Sequence, residues 1–181
     1  MMSGMRAVTA RPLLLGSQSD GERAGVNEAG ETVLILVSAL VFVDGVIHVG
    51  AAVDHFDQFP LYTLTFACIA AVQIAWAALL ARRPSPVVLL AGCAFTAGVI
   101  ALWAASRTVG VPIAPRPWAP EPVGVADLIA TLGELVTVIA VLSVWLSPRR
   151  RGAEHALGRI TPLLIAVLLV SVLLGAGAHA G

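Results

Sequence analysis

The sequence contains no lysine and little charge of any kind. Charged residues make up 12% of the 181-residue chain, against roughly a quarter in a typical soluble domain. Eleven basic residues, every one an arginine, balance eleven acidic ones. A net charge of zero offers no basic surface for nucleic acid, and the exclusive use of arginine reads as a GC-rich coding bias. Cysteine is scarce. Cys68 and Cys93 fall in opposite halves of different predicted spans, which predicts no disulfide and two buried thiols. No Cys-x-x-Cys, no Glu-x-x-His pair and no methionine cluster is found, so the usual signatures of a redox dithiol or a carboxylate-bridged di-metal centre are missing. There is no internal repeat, so an inverted-repeat transporter architecture is not supported.

Long apolar runs fill the space that charge leaves. Hydrophobic residues make up 58% of the chain, in stretches of about 20 residues, the length needed to cross a hydrocarbon core. Barrel strands would alternate polar and apolar residues. These runs do not alternate, and a spanning segment must satisfy its own backbone polar groups, so the runs are helical. The fold class is therefore all-α, an integral membrane bundle of about five transmembrane helices. Residues 1–30 read as a polar, mobile cytoplasmic tail. Residues 31–181 read as the membrane domain, with spans at about 32–53, 61–81, 87–106, 124–146 and 160–178. Span five, whose interior offers only Ser171 as a polar group beyond its first turn, is expected to face lipid.

Arginine sets the orientation. Arg6, Arg11, Arg23, Arg82, Arg83, Arg149, Arg150, Arg151 and Arg159 fall on one side of the spans, and only Arg107 and Arg116 on the other. By the positive-inside rule the N-terminus is cytoplasmic and the C-terminus extracytoplasmic, in a plasma membrane. The triplet Arg149–Arg151 serves as a topology anchor, and Trp103 and Trp145 suit the two interfacial belts.

The costly residues carry the functional signal. A charged side chain at the bilayer centre costs at least about 2.5–3.5 kcal/mol on insertion scales. Asp44 and His48 lie inside span one and Glu134 inside span four; Asp127 opens span four, and His55 follows span one. At about 100° per residue, Asp44, His48 and His55 share one stripe of their helix, and Asp127, Thr131 and Glu134 share another. Asp44 and Glu134 lie at similar depth. These stripes predict an outward-facing polar pocket between spans one and four, partly closed by Arg107. Glu121 belongs to the proline-rich loop that joins spans three and four, which is expected either to cover the pocket or to be an ordinary exposed connector. Trp76 and Gln73 are expected to supply packing and an interhelical hydrogen bond. His155 and His179 are expected to be solvated and at a frayed end, respectively.

Three readings fit the stripes. In the first, Asp44, His48, His55, Asp127 and Glu134 ligate a transition metal (iron, copper, zinc or manganese) or serve membrane redox chemistry. In the second, the mid-depth carboxyls belong to a proton- or ion-coupled small transporter, with Gln73 extending the path inward. In the third, the chain is a structural or accessory subunit whose polar groups form pairs that fix helix register: Arg107 with Asp127 or Glu134, and Asp44 with His48. The expected partners are the lipid bilayer and, because so small a pocket can be completed by another subunit, a second copy of the chain or a component of a membrane complex.

The pattern His48…Asp54-His55-Phe56, then Arg107-Thr108-x-Gly110-x-Pro112, then Glu121-Pro122-x-Gly124-x-x-Asp127 and Glu134, resembles small multi-pass membrane proteins of high-GC bacteria. It covers about Asp44 to Glu134, most of the membrane domain. The resemblance supports this choice of residues and brings no activity with it.

Overall fold

A computed structural model describes residues 13–57, 59–146 and 160–170. The described residues form α1 (Leu13–Asp54), α2 (Pro60–Arg82), α3 (Pro86–Thr108), α4 (Val125–Leu146) and the shorter α5 (Ile160–Val170). The protein is all-helical, and the four segments Gly30–Asp54, Pro60–Arg82, Pro86–Thr108 and Val125–Leu146 are long and apolar enough to cross a membrane. These segments match the expected spans to within two residues at either end. The continuation of span five beyond Val170 lies outside the described residues, as do residues 1–12.

Helix boundaries follow local chemistry. Proline occupies the first helical position of α2 (Pro60) and α3 (Pro86), where its missing N–H removes a donor that has no helical partner. Ser85 caps α3 by accepting from the Val88 backbone N–H at 3.2 Å. At the other end of α3, Gly110 adopts φ +74° and donates its N–H to the Ala105 carbonyl at 3.0 Å, closing the helix as a left-handed glycine does. α1 begins at Leu13 rather than near Thr32, so the polar stretch ahead of span one is helical where a mobile tail was expected. No proline occurs between Pro12 and Pro60, so nothing interrupts the helix as it leaves the apolar segment.

The four long helices form a closed ring. α1 packs against α2 and α4, and α3 packs against α4 and more lightly against α2. The α1–α2 and α3–α4 connections share one end of the ring, and the tight α2–α3 turn lies at the other. Small residues set the approach of the helices, as membrane bundles favour. Gly45 faces Ile74, where an added Cβ would come within 2.8 Å of Cγ1. Gly92 faces Trp76, whose Cε2 would be 1.8 Å from such a Cβ. The Trp76 indole N–H donates to the Val88 carbonyl at 3.0 Å, so this large side chain both fills the α2–α3 contact and satisfies its polar atom.

The apolar core sits toward the α2–α3 turn. Val37, Leu40 and Val41 of α1 meet Trp76 and Leu80 of α2, Cys93 of α3, and Ala140 and Val141 of α4. α5 adds Leu164, 0% exposed, and Val167. One face of α5 seals the core, while Leu163, Ile165 and Leu169 on the other remain exposed, as expected of a helix that faces lipid. Cys93 is buried, but Cys68 is exposed, which corrects its expected burial. Cys68 shares the outer face of α2 with Leu64, Val72 and Leu79, at intervals of one or two helical turns. Faces of this kind are the surface a bilayer covers.

The Gly92–Trp76 contact yields a stability prediction. Gly92→Ala overpacks a fitted site and is expected to cost about 1–3 kcal/mol. Measured by unfolding in micelles, Gly92→Ala and Trp76→Leu together should cost less than the sum of the two single changes, because the second removes the obstruction that the first creates.

Candidate functional site

The polar groups that cost most to bury meet at mid-bundle. Glu134 of α4 is 2% exposed and Gln73 of α2 is 1% exposed. The Gln73 amide Nε2 donates to Glu134 Oε1 at 2.9 Å, across the diagonal of the ring. This is the interhelical hydrogen bond expected of Gln73. Asp44 of α1 lays its carboxylate against Gly133, where a Cβ would fall 2.7 Å from Oδ1. A residue larger than glycine at 133 would push the two helices apart at the level of both carboxyl groups.

One turn along α1, the His48 Nδ1–H donates to the Asp44 backbone carbonyl at 2.9 Å. The carbonyl can only accept, so this bond fixes the tautomer of a neutral ring and leaves Nε2 as an acceptor. The expected pairing of Asp44 with His48 therefore runs through the backbone and not through the carboxylate.

His48 and Glu134 both line a cavity of ≈ 520 Å³ between the helices and the 109–124 loop. That volume falls within the usual range of small-molecule sites, about 300–1,000 Å³. Asp44 and Gln73 do not line it; they lie behind its floor. The wall from α2 is aromatic. The His55 ring stacks on Phe66 with centroids 5.5 Å apart and meets the Tyr62 ring edge-on at 5.5 Å. Trp103 and Ile69 continue the wall, and Thr131 lies on the α4 side between Asp127 and Glu134.

The mouth is clasped by an ion-pair network. Arg107 at the end of α3 donates NH1 to Glu121 Oε2 at 2.6 Å and NH2 to Asp127 Oδ2 at 2.7 Å. The Tyr62 hydroxyl donates to the second Glu121 oxygen. Asp127 Oδ2 also accepts the Gly124 backbone N–H at 3.0 Å, capping α4. The Glu121 N–H reaches back to the Ser106 carbonyl at 3.0 Å. Both ends of the loop are thereby tied to α3, and Val111, Ala114, Ala119 and Pro120 face the cavity. Of the two readings of this loop, the structure places it over the pocket.

The five expected metal donors do not converge. Asp127 is bound to Arg107, His55 lies within the aromatic wall, and Asp44 is behind the floor. Among the described residues no three His, Cys, Asp or Glu side chains form a group that could hold a metal ion. Sharing a helix stripe is not sharing a point: Asp127 and Glu134 are separated by about 10 Å along the axis, and Asp44 and His55 by about 16 Å. Arg107 pairs with Asp127, as one expectation had it, and with Glu121, but not with Glu134. His155, His179 and the arginine triplet lie outside the described residues. Sequence reasoning missed Tyr62, Phe66 and Trp103 as pocket residues. Tyr62, the single tyrosine of the chain, sits in the first turn of α2 next to the polar mouth, and that position was a usable signal.

No known protein family, curated protein or solved structure matches the chain.

Arg107 is the member of the clasp that touches both carboxylates. Arg107→Ala leaves Glu121 and Asp127 facing each other without a cation and is expected to cost about 1.5–3 kcal/mol, the range for hydrogen bonds to charged groups. It should also speed proteolysis of the 109–124 loop. Arg107→Lys should recover less than half of the loss, because one ammonium cannot reproduce the two-armed fork.

Proposed function

We propose that this chain is a multi-pass membrane protein that binds a small amphipathic molecule in the ≈ 520 Å³ cavity, on the extracytoplasmic side that the arginine distribution assigns to it. The observation that carries this reading is the division of the cavity into a polar floor and an aromatic wall. The floor offers acceptors: His48 Nε2 and the Glu134 oxygen not bound to Gln73. The wall offers ring faces and edges from Phe66, His55 and Trp103. A ligand that fits has an aromatic or apolar body and a head group that donates hydrogen bonds, the chemistry of a phenol or a quinol. The second chemistry is compatible with membrane redox function.

The test uses hydroquinone and its dimethyl ether, which has the same ring and no donors, titrated against the protein in nanodiscs and followed by Trp103 fluorescence. Hydroquinone is expected to quench saturably and the ether far more weakly. Glu134→Gln and His48→Ala should each weaken hydroquinone binding about tenfold or more, the worth of a hydrogen bond to a charged or fixed acceptor. Equal binding of the two compounds would sink the reading.

Metal binding is a second reading, favoured by one feature. A metal-ligating histidine commonly ties one ring nitrogen to a carbonyl and presents the other, as His48 does. His48 and Glu134 supply two donors, so a ligand molecule or another subunit would have to complete the shell. Retention of no iron, copper, zinc or manganese by purified protein after loading and washing would count against it.

A further inference from the structure

Behind the pocket floor lies a second polar layer, to which each helix of the ring contributes one side chain. Asp44 of α1, Gln73 of α2, Thr96 of α3 and Thr137 of α4 are each no more than 1% exposed. Each has an oxygen without a hydrogen-bond partner: Asp44 Oδ1, Gln73 Oε1, Thr96 Oγ1 and Thr137 Oγ1. Buried polar atoms are nearly always paired, and an orphan in hydrocarbon costs several kcal/mol. Four orphans in one layer call for a ligand.

The four groups share one depth in the bundle. They lie about ten to thirteen residues from the pocket-end termini of their helices, a spread of about 4.5 Å in depth at 1.5 Å per residue. Gly45, next to Asp44, would place a Cβ 3.4 Å from Gln73 Cβ, so α1 and α2 meet here. Asp44 rests against Gly133, and Thr137 is one turn further along the same face of α4. Trp76 packs on Gly92, and one turn toward the pocket on both antiparallel helices brings Gln73 level with Thr96.

The hydroxyls are notable for what they forgo. Thr32, Thr65, Thr108 and Ser143 all donate to the carbonyl four residues back, at 2.7–3.1 Å. That bond satisfies a hydroxyl within its own helix. Thr96 and Thr137, more deeply buried, do not make it. The Gln73 amide is held by its NH2 group, which donates to Glu134, and its carbonyl oxygen, close to the His48 ring, is left without a hydrogen-bond donor. Among the described residues Asp44 has no arginine partner: both terminal nitrogens of Arg107 are taken by Glu121 and Asp127, and Arg82, Arg83 and Arg116 are exposed.

We propose that Asp44, Gln73, Thr96 and Thr137 form an oxygen-lined site for a dehydrated alkali cation, of the sodium class, at the centre of the bundle. One carboxylate, one amide carbonyl and two hydroxyls supply four hard oxygen donors and a single negative charge. That set matches a monovalent ion, whereas a divalent ion such as calcium gathers six to eight oxygens, commonly from several carboxylates. The Gln73 amide joins this site to the pocket, with its oxygen on the cation side and its NH2 group on Glu134.

The test needs no pocket ligand, so it stands apart from the proposed function. The full chain in nanodiscs is unfolded thermally in NaCl, KCl, LiCl or choline chloride at equal ionic strength and pH. A saturable rise in midpoint with one alkali cation, absent with choline, is expected. Thr96→Val and Thr137→Val should each raise the half-saturating concentration tenfold or more, Asp44→Asn should abolish the response, and Thr108→Val should leave it unchanged. If Asp44→Asn does not fold, the two threonine variants decide. Identical midpoints in all four salts would overturn the site and leave a layer of water or protons only. A response unchanged in both threonine variants would also overturn it.

Discussion

Glu134 is almost fully enclosed at the inner end of the cavity, and Gln73 on the opposite helix meets it with a hydrogen bond across the ring. The rest of the bundle is arranged around that contact. An unpartnered polar group in hydrocarbon costs several kcal/mol, so α2 and α4 cannot slide or rotate relative to each other without paying that penalty. Asp44 adds the third helix through Gly133, the one position type that lets a carboxylate and a backbone share the same few ångströms. The apolar core, in contrast, is sorted by shape. Trp76 requires Gly92, and Leu40, Leu80 and Leu164 fill the volume near the α2–α3 turn. Polar contacts fix the register at mid-depth, and packing sets the distances below it.

The mouth of the pocket follows a different logic. Arg107, Glu121 and Asp127 are partly exposed, at 13%, 26% and 32% of their side-chain surface. Their pairing holds a proline-rich loop at a defined place more than it holds the bundle together. The planar guanidinium meets two carboxylates from two different segments, which a point charge does less well. Gly110 helps in a way only glycine can: it takes positive φ, and its Cα faces the Trp118–Ala119 backbone, where a Cβ would come within 2.4 Å. The loop is thus shaped by close backbone approach and by charge, not by an apolar core of its own.

The helices and the choice of polar residues were legible from composition alone, because a long apolar run and a charge inside it leave few alternatives. The grouping of those residues was not. Rotation angles place side chains on a stripe of one helix, but they say little about distance along the axis or about the neighbouring helix. That is why Asp127 and Glu134, which do line one cavity, sit at its two ends and do not meet at one metal. Gln73, Thr96 and Thr137 carried a weaker signal, since neutral polar residues are common in membrane helices and cost little to insert. What gives them meaning is an atom left without a partner, which only coordinates reveal. The exposure of Cys68 and the packing of α5 likewise depend on which face a neighbouring helix covers.

Depth separates the polar residues by role. At the mouth Arg107, Glu121 and Asp127 pair with one another, which accounts for how the loop and the helix ends are held. One level down, His48 and Glu134 each make one hydrogen bond and line the cavity, the arrangement on which the proposed ligand site rests. At the centre, Asp44, Gln73, Thr96 and Thr137 are enclosed and incompletely satisfied. A purely structural polar layer would be expected to close on itself, since complete pairing is what makes such a layer worth its desolvation. Unpartnered atoms occur at both levels, Arg107 Nε and Trp103 Nε1 near the mouth and four side-chain oxygens at the centre, but only the central ones are all oxygens at one depth. A layer of enclosed, unpartnered oxygens at one depth is what the proposed cation site would account for.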